Sequence, residues 1–60
     1  MKKIATKTVD NKIYKLVENE FEKNWEIISM NITPIQLKEY NTIKRLDNLK
    51  DAQQYFNDIK

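Results

Sequence analysis

The chain has 60 residues with a formal charge of +2, and it contains no Cys, no His and no Gly. A chain this short buries only about 60% of the surface that its unfolded form exposes, so we expect one domain, residues 1–60, with a modest core. The missing residue types exclude disulfides, the usual zinc ligands, Ser-His and Cys-His nucleophile pairs, and glycine-rich phosphate loops. We therefore expect a protein that is not an enzyme and needs no metal or cofactor.

The charge is unevenly distributed along the chain. Residues 1–17 carry +4, residues 18–26 carry −3, and residues 27–60 carry +1. A basic patch can bind nucleic acid or an acidic partner, but charged residues also keep the surface of any small domain soluble. The basic segment has one Tyr and no Arg, which favours the interpretation that its lysines form an ordinary solvated surface. The four Glu residues of 18–26 lack the Gly of a calcium loop, so we read them as a solvated acidic stretch.

Lys, Asn and Ile supply 25 of the 60 residues, and their codons are AT-rich. This composition predicts an origin in a low-GC bacterium, or in a phage or plasmid that such a bacterium carries. No apolar run approaches the ~20 residues of a membrane span, and no signal-peptide core follows the basic start. We expect a cytoplasmic protein with no membrane contact.

The residues from 4 to 17 predict a β-hairpin. Residues 4–9 are rich in β-branched side chains, and Asp10 and Asn11 are residue types that tolerate the backbone of a two-residue turn. The expected register places Val9 opposite Lys12 and Ile4 opposite Val17. One face then carries Ile4, Ile13 and Val17, and the other carries Ala5, Val9, Tyr14 and Leu16. Neither face is clearly polar, so the pattern does not indicate which one is buried.

The middle of the chain alternates between polar and apolar segments. Residues 18–23 form a polar connection interrupted by Phe21, and residues 25–30 predict a third strand. Thr33, Pro34 and Gln36 have the spacing of a capping box, which predicts a short helix over residues 34–40. Residues 42–46 predict a short strand.

The end of the chain predicts an amphipathic helix. Asn48 is a suitable N-cap for residues 49–59, Asp51 suits the positive end of the helix dipole, and Lys60 suits the negative end. The apolar residues of this helix recur at helical spacing. We expect the core to contain Trp25, Leu49, Ala52 and Phe56.

The segment Leu46-Asp47-Asn48-Leu49-Lys50-Asp51-Ala52-Gln53-Gln54-Tyr55-Phe56-Asn57-Asp58 resembles the ending F-D-T-L-E-E-A-K-A-Y-I-D. That ending occurs in small uncharacterised phage and bacterial proteins with a few strands and one packing helix. The resemblance implies that a strand ends near residue 46 and that a capped helix follows it. It implies no activity.

Two fold classes are compatible with these patterns. The preferred one is α+β, a β-hairpin or three-stranded antiparallel meander packed against a C-terminal helix. The alternative is an all-α three-helix bundle with helices near residues 11–30, 34–45 and 48–59, because apolar side chains between 13 and 28 also fit one helical face.

The function expected from these features is that of a small protein-binding regulator or inhibitor. The alternatives are a nucleic-acid-binding accessory protein that uses the basic hairpin, and a small structural subunit that forms homo-oligomers. A protein is the preferred partner, and nucleic acid comes second. The candidate contact residues are basic or aromatic: Lys7, Lys12, Tyr14, Lys15, Tyr40, Lys44 and Arg45.

Overall fold

The computed structural model describes residues 2–32 and 40–60. In this part of the chain, four antiparallel strands form one sheet in the order β1-β2-β3-β4. They are β1 (Lys2–Val9), β2 (Lys12–Asn19), β3 (Asn24–Asn31) and β4 (Asn41–Leu46), and helix α1 (Leu49–Asp58) follows. The α+β class is therefore confirmed, and the short strand predicted at residues 42–46 is β4, which joins the expected meander as a fourth strand. The three-helix bundle is wrong, because most of residues 11–30 lie in strands. The predicted helix and its capping box fall almost entirely on residues 33–39, outside the described residues.

The first hairpin turns at Asp10 and Asn11, as the sequence predicts. Val9 pairs with Lys12, and Asp10 has φ of 55°. That left-handed backbone disfavours most side chains, but Asp and Asn tolerate it because their short polar side chains can hydrogen-bond locally. The local residue types therefore decide where this hairpin reverses.

The far end of the same hairpin differs from the prediction. Lys3, and not Ile4, pairs with Val17, because a β-bulge lies between Lys3 and Ala5. A bulge inserts one extra residue into a strand and redirects the side chains around it. The residue alternation gave no sign of this insertion.

Helix α1 begins at a cap that satisfies its free backbone donors. The Asn48 side chain accepts hydrogen bonds from the backbone N–H groups of Lys50 at 2.8 Å and Asp51 at 3.3 Å. Asp51 places a negative charge in the first turn, where the helix dipole favours it. The predicted N-terminus of the helix is therefore confirmed.

The core lies between the helix and one face of the sheet, which we call the helix face. Ala52 and Phe56, with 0% and 6% of their surface exposed, project from the helix onto Leu16 and Ile27. Leu16 and Ile27 are direct cross-strand partners on β2 and β3. Partly buried apolar residues surround this cluster: Ala5, Tyr14, Trp25, Leu46 and Ile59.

The predicted core is partly right. Ala52 and Phe56 are buried, and Trp25 is partly buried against the same cluster. Leu49 is 36% exposed, so its assignment to the core is wrong. It occupies the first helical position, three residues after the end of β4, and helical spacing alone does not distinguish it from the buried positions further along.

The opposite face of the sheet, which we call the second face, is also partly apolar. Val17 is buried there, and Ile13, Ile28 and Met30 are half-buried. Both faces of the predicted hairpin thus carry buried side chains, which explains why the alternation of residue types did not distinguish them.

We predict that Phe56→Ala destabilises the protein by about 3–5 kcal/mol, the usual range for truncating a buried aromatic residue. That loss is comparable to the whole stability expected of a domain this small, so the variant should be largely unfolded. Urea titration followed by the fluorescence of Trp25 measures the effect. Tyr55→Ala, one position earlier on the exposed side of the helix, is the control and should change stability far less. An unchanged midpoint for Phe56→Ala would contradict this assignment of the core.

Candidate protein-binding surface

The turn between β2 and β3, which we call the hairpin tip (residues 20–23), is fixed by Asn19. The Oδ1 atom of Asn19 accepts hydrogen bonds from the backbone N–H groups of Phe21 and Glu22, both at 3.1 Å. Lys23 closes the turn with φ of 54°. An Asn side chain that accepts from the backbone a few residues ahead restrains a turn without help from the rest of the protein. The tip therefore has a defined conformation.

The same Asn19 side chain ties the tip to the middle of the sheet. Its Nδ2 donates to Glu26 Oε2 at 2.7 Å. The Glu26 carboxylate, 4% exposed, also accepts from Thr42 Oγ1 at 3.3 Å and lies 3.8 Å from Arg45 Nε. A buried carboxylate is costly unless hydrogen bonds and an opposite charge compensate it. This Glu26 network joins β2, β3 and β4 on the second face.

Phe21 projects from the hairpin tip into solvent. It is 99% exposed, more than any other large apolar side chain that the structure describes. Glu20 and Glu22 lie on either side of it and are exposed as well. A fully exposed Phe gains nothing for folding, whereas aromatic side chains are enriched at the centres of protein interfaces. The hairpin tip is therefore the candidate contact surface.

Lys7, one of the predicted contact residues, lies at the C-terminal end of α1. Its ammonium donates to the backbone carbonyls of Phe56 at 2.5 Å and Ile59 at 2.6 Å, and it lies 4.8 Å from the centre of the Phe56 ring. The last carbonyls of a helix lack partners within the helix and carry the negative end of its dipole. The last turn contains no basic residue. Lys7 on β1 thus provides the positive charge at the negative end of the helix dipole, where the sequence predicted Lys60.

Lys15 and Tyr40, two further predicted contact residues, meet on the second face. The Lys15 ammonium donates to the Tyr40 hydroxyl at 3.0 Å and lies 5.0 Å from the centre of its ring. A cation over an aromatic ring is stabilised by the negative face of the ring. The pair connects β2 to the residue just before β4.

The other predicted contact residues are distributed over both faces of the sheet. Lys12 and Lys44 are exposed, and the register places them on the helix face together with the partly buried Tyr14. Arg45 lies on the second face beside Glu26, with 66% of its side chain exposed. The structure therefore does not bring the seven residues into one patch.

Sequence reasoning did not select Phe21 as a contact residue, although one signal was present. Phe21 is the only apolar residue in the polar stretch between β2 and β3. Such a side chain either packs back onto the sheet or points outward, and the sequence alone does not distinguish these outcomes.

Within residues 2–32 and 40–60, no group of three or more Asp and Glu residues is arranged to hold a metal ion. The described part of the chain also contains no helix with the length and apolar character needed to span a membrane.

No protein-family model, no curated protein and no solved structure matches this chain. The resemblance of residues 46–58 to the endings of small phage and bacterial proteins stays a prediction.

We predict that Lys7→Met destabilises the protein by about 1–2 kcal/mol, because it keeps most of the aliphatic stem and removes the charged donor from the helix end. The control is Lys12→Met, which removes the same charge from an exposed site on the neighbouring strand and should change stability by less than about 0.5 kcal/mol. Urea unfolding of both variants measures the difference. Equal midpoints for the two variants would contradict the capping role of Lys7.

We predict that Asn19→Ala costs about 1–3 kcal/mol, because it removes the acceptor that restrains the tip and leaves the buried Glu26 carboxylate with one donor fewer. Asn31→Ala, at the exposed opposite end of β3, is the matched control. Hydrogen exchange at the Phe21 and Glu22 amides should accelerate in Asn19→Ala alone. Unchanged exchange at both amides would show that another group restrains the tip.

Proposed function

We propose that this protein is a small, non-enzymatic protein-binding regulator or inhibitor whose principal contact is the hairpin tip. The observation that carries the proposal is the complete exposure of Phe21 on a turn that side-chain hydrogen bonds restrain. A preorganised aromatic side chain loses little conformational entropy on binding, so most of the free energy of its burial contributes to affinity. Phe21 is therefore the anchor of the interface.

The charges around Phe21 define the partner's surface. Glu20 and Glu22 flank the ring, and residues 18–26 carry −3 in total. Interfaces place an apolar anchor in a pocket and surround it with a polar rim of complementary charge. The partner is a protein with an apolar pocket bordered by Lys or Arg side chains.

Two features make nucleic acid a weaker candidate. The Lys7 ammonium is occupied by helix carbonyls, and Lys15 lies on the second face, away from Lys12. Phosphate-based affinity requires several cations along one surface, and the Glu residues of the tip would repel the same backbone. Duplex DNA should therefore bind no more tightly than the non-specific range of about 10⁻⁴ to 10⁻⁶ M at physiological salt.

The test compares three immobilised proteins, namely the wild type, Phe21→Ala and Tyr55→Ala, as baits in a lysate of the organism that encodes the chain. Tyr55 is a matched control because it is an exposed aromatic residue on α1, away from the tip. A partner retained by the wild type and Tyr55→Ala should be lost with Phe21→Ala. Titration of the purified partner should show a loss of at least about 2 kcal/mol, roughly 30-fold in Kd, for Phe21→Ala.

Folding of the variants needs an independent check. Because Phe21 lies outside the core, Phe21→Ala should unfold within about 0.5 kcal/mol of the wild type. A partner that binds Phe21→Ala as tightly as the wild type would contradict the proposal. Sub-micromolar, salt-sensitive DNA binding that requires Lys12 would instead support the nucleic-acid alternative.

A further inference from the structure

A groove lies between β1 and α1, on the helix face. It has a volume of about 380 Å³ and is lined by Ile4, Ala5, Leu16, Gln53, Phe56 and Asn57. The helix packs over β2, β3 and β4 but makes no close backbone approach to β1. This lateral offset of α1 leaves the apolar floor beside β1 open.

The β-bulge of β1 contributes to the floor of this groove. In a regular strand, successive side chains point to opposite faces, so Ile4 and Ala5 would be separated by the sheet. Both residues line the groove, and the bulge between Lys3 and Ala5 accounts for this arrangement. As a result, Ile4 is 38% exposed beside the groove.

The backbone of β1 borders the groove and is available for further pairing. β1 is an edge strand, so among the described strands only β2 pairs with it. From Ala5 to Val9 its register with β2 is regular, which leaves outward N–H and C=O groups in an extended row. An added strand would satisfy these groups and place its alternate side chains toward the groove.

The positive charge of β1 favours an acidic ligand. The strand carries three lysines and no carboxylate. The Lys7 ammonium is held by the carbonyls of Phe56 and Ile59, so Lys2 and Lys3 supply the charge for a ligand. Within residues 2–32 and 40–60, neither Lys2 nor Lys3 takes part in an ion pair. On the helix side, Gln53 and Asn57 offer amide groups that can hydrogen-bond a peptide backbone.

From these features we infer that the groove between β1 and α1 binds an extended acidic peptide segment of a second protein. The segment pairs antiparallel or parallel with residues 5–9 and inserts one aliphatic side chain between Ile4 and Phe56. A carboxylate at one end of the segment faces Lys2 and Lys3. This site shares no lining residue with the hairpin tip.

The test is an NMR titration of the full chain with a synthetic peptide, Glu-Val-Leu-Val-Glu with blocked termini. The expected result is a set of amide shifts confined to β1 and to residues 53–57. The same peptide N-methylated on alternate residues loses its pairing donors and should bind about tenfold more weakly, as expected for lost hydrogen bonds. Replacing both Glu residues of the unmethylated peptide by Lys should also weaken binding relative to the original peptide.

Two variants at neighbouring exposed helix positions give a matched comparison. Gln53→Trp fills the groove and should abolish the shifts, whereas Gln54→Trp lies outside the groove lining and should leave them unchanged. Phe21→Ala should bind the peptide like the wild type, so this inference and the proposed function can fail separately. Absence of shifts with the wild type, shifts centred on residues 20–23, or equal binding by both Trp variants would overturn the inference.

Discussion

The contact of Phe56 and Ala52 with Leu16 and Ile27 is the interaction on which the rest of the structure depends. A small β-sheet needs an apolar face or a packed helix to be stable in water, and a helix of 10 residues is too short to be stable alone. Each becomes stable by burying its apolar surface against the other. Because the chain has no disulfide, the small core must supply most of the free energy of folding.

Both candidate binding surfaces follow from the position of this core. Leu16 and Ile27 lie on β2 and β3, so the hairpin tip is attached to the two strands that carry the buried core. The Glu26 network also holds Asn19, which restrains the tip. The helix lies over β2 to β4. This leaves β1 with a groove on one side and, on the other, a backbone edge to which no strand of the described residues pairs. The hairpin tip is therefore a projecting surface, and the groove between β1 and α1 is a concave one.

The sequence predicted those parts of the fold that short-range patterns determine. The turn at Asp10, the third strand and the Asn48 cap each depend on residues close together in the chain. The contact of Lys7 with the end of α1 and the exposure of Leu49 depend on how the helix docks, and the periodicity of the sequence does not describe that docking. The bulge in β1 likewise has no counterpart in the alternation of residue types. The candidate site was missed for a related reason: whether Phe21 packs inward or outward depends on the length of the turn and on the hydrogen bonds of Asn19.

The core strands hold Phe21 outward on a rigid turn, and ¹⁵N relaxation of the free protein tests this rigidity most directly. Backbone order parameters near 0.85 mark rigid structure, and values below about 0.6 mark flexible chain. We expect the amides of Phe21 and Glu22 to have order parameters close to those of Leu16 and Ile27. Values below about 0.6 at the tip, with the core strands rigid, would contradict it.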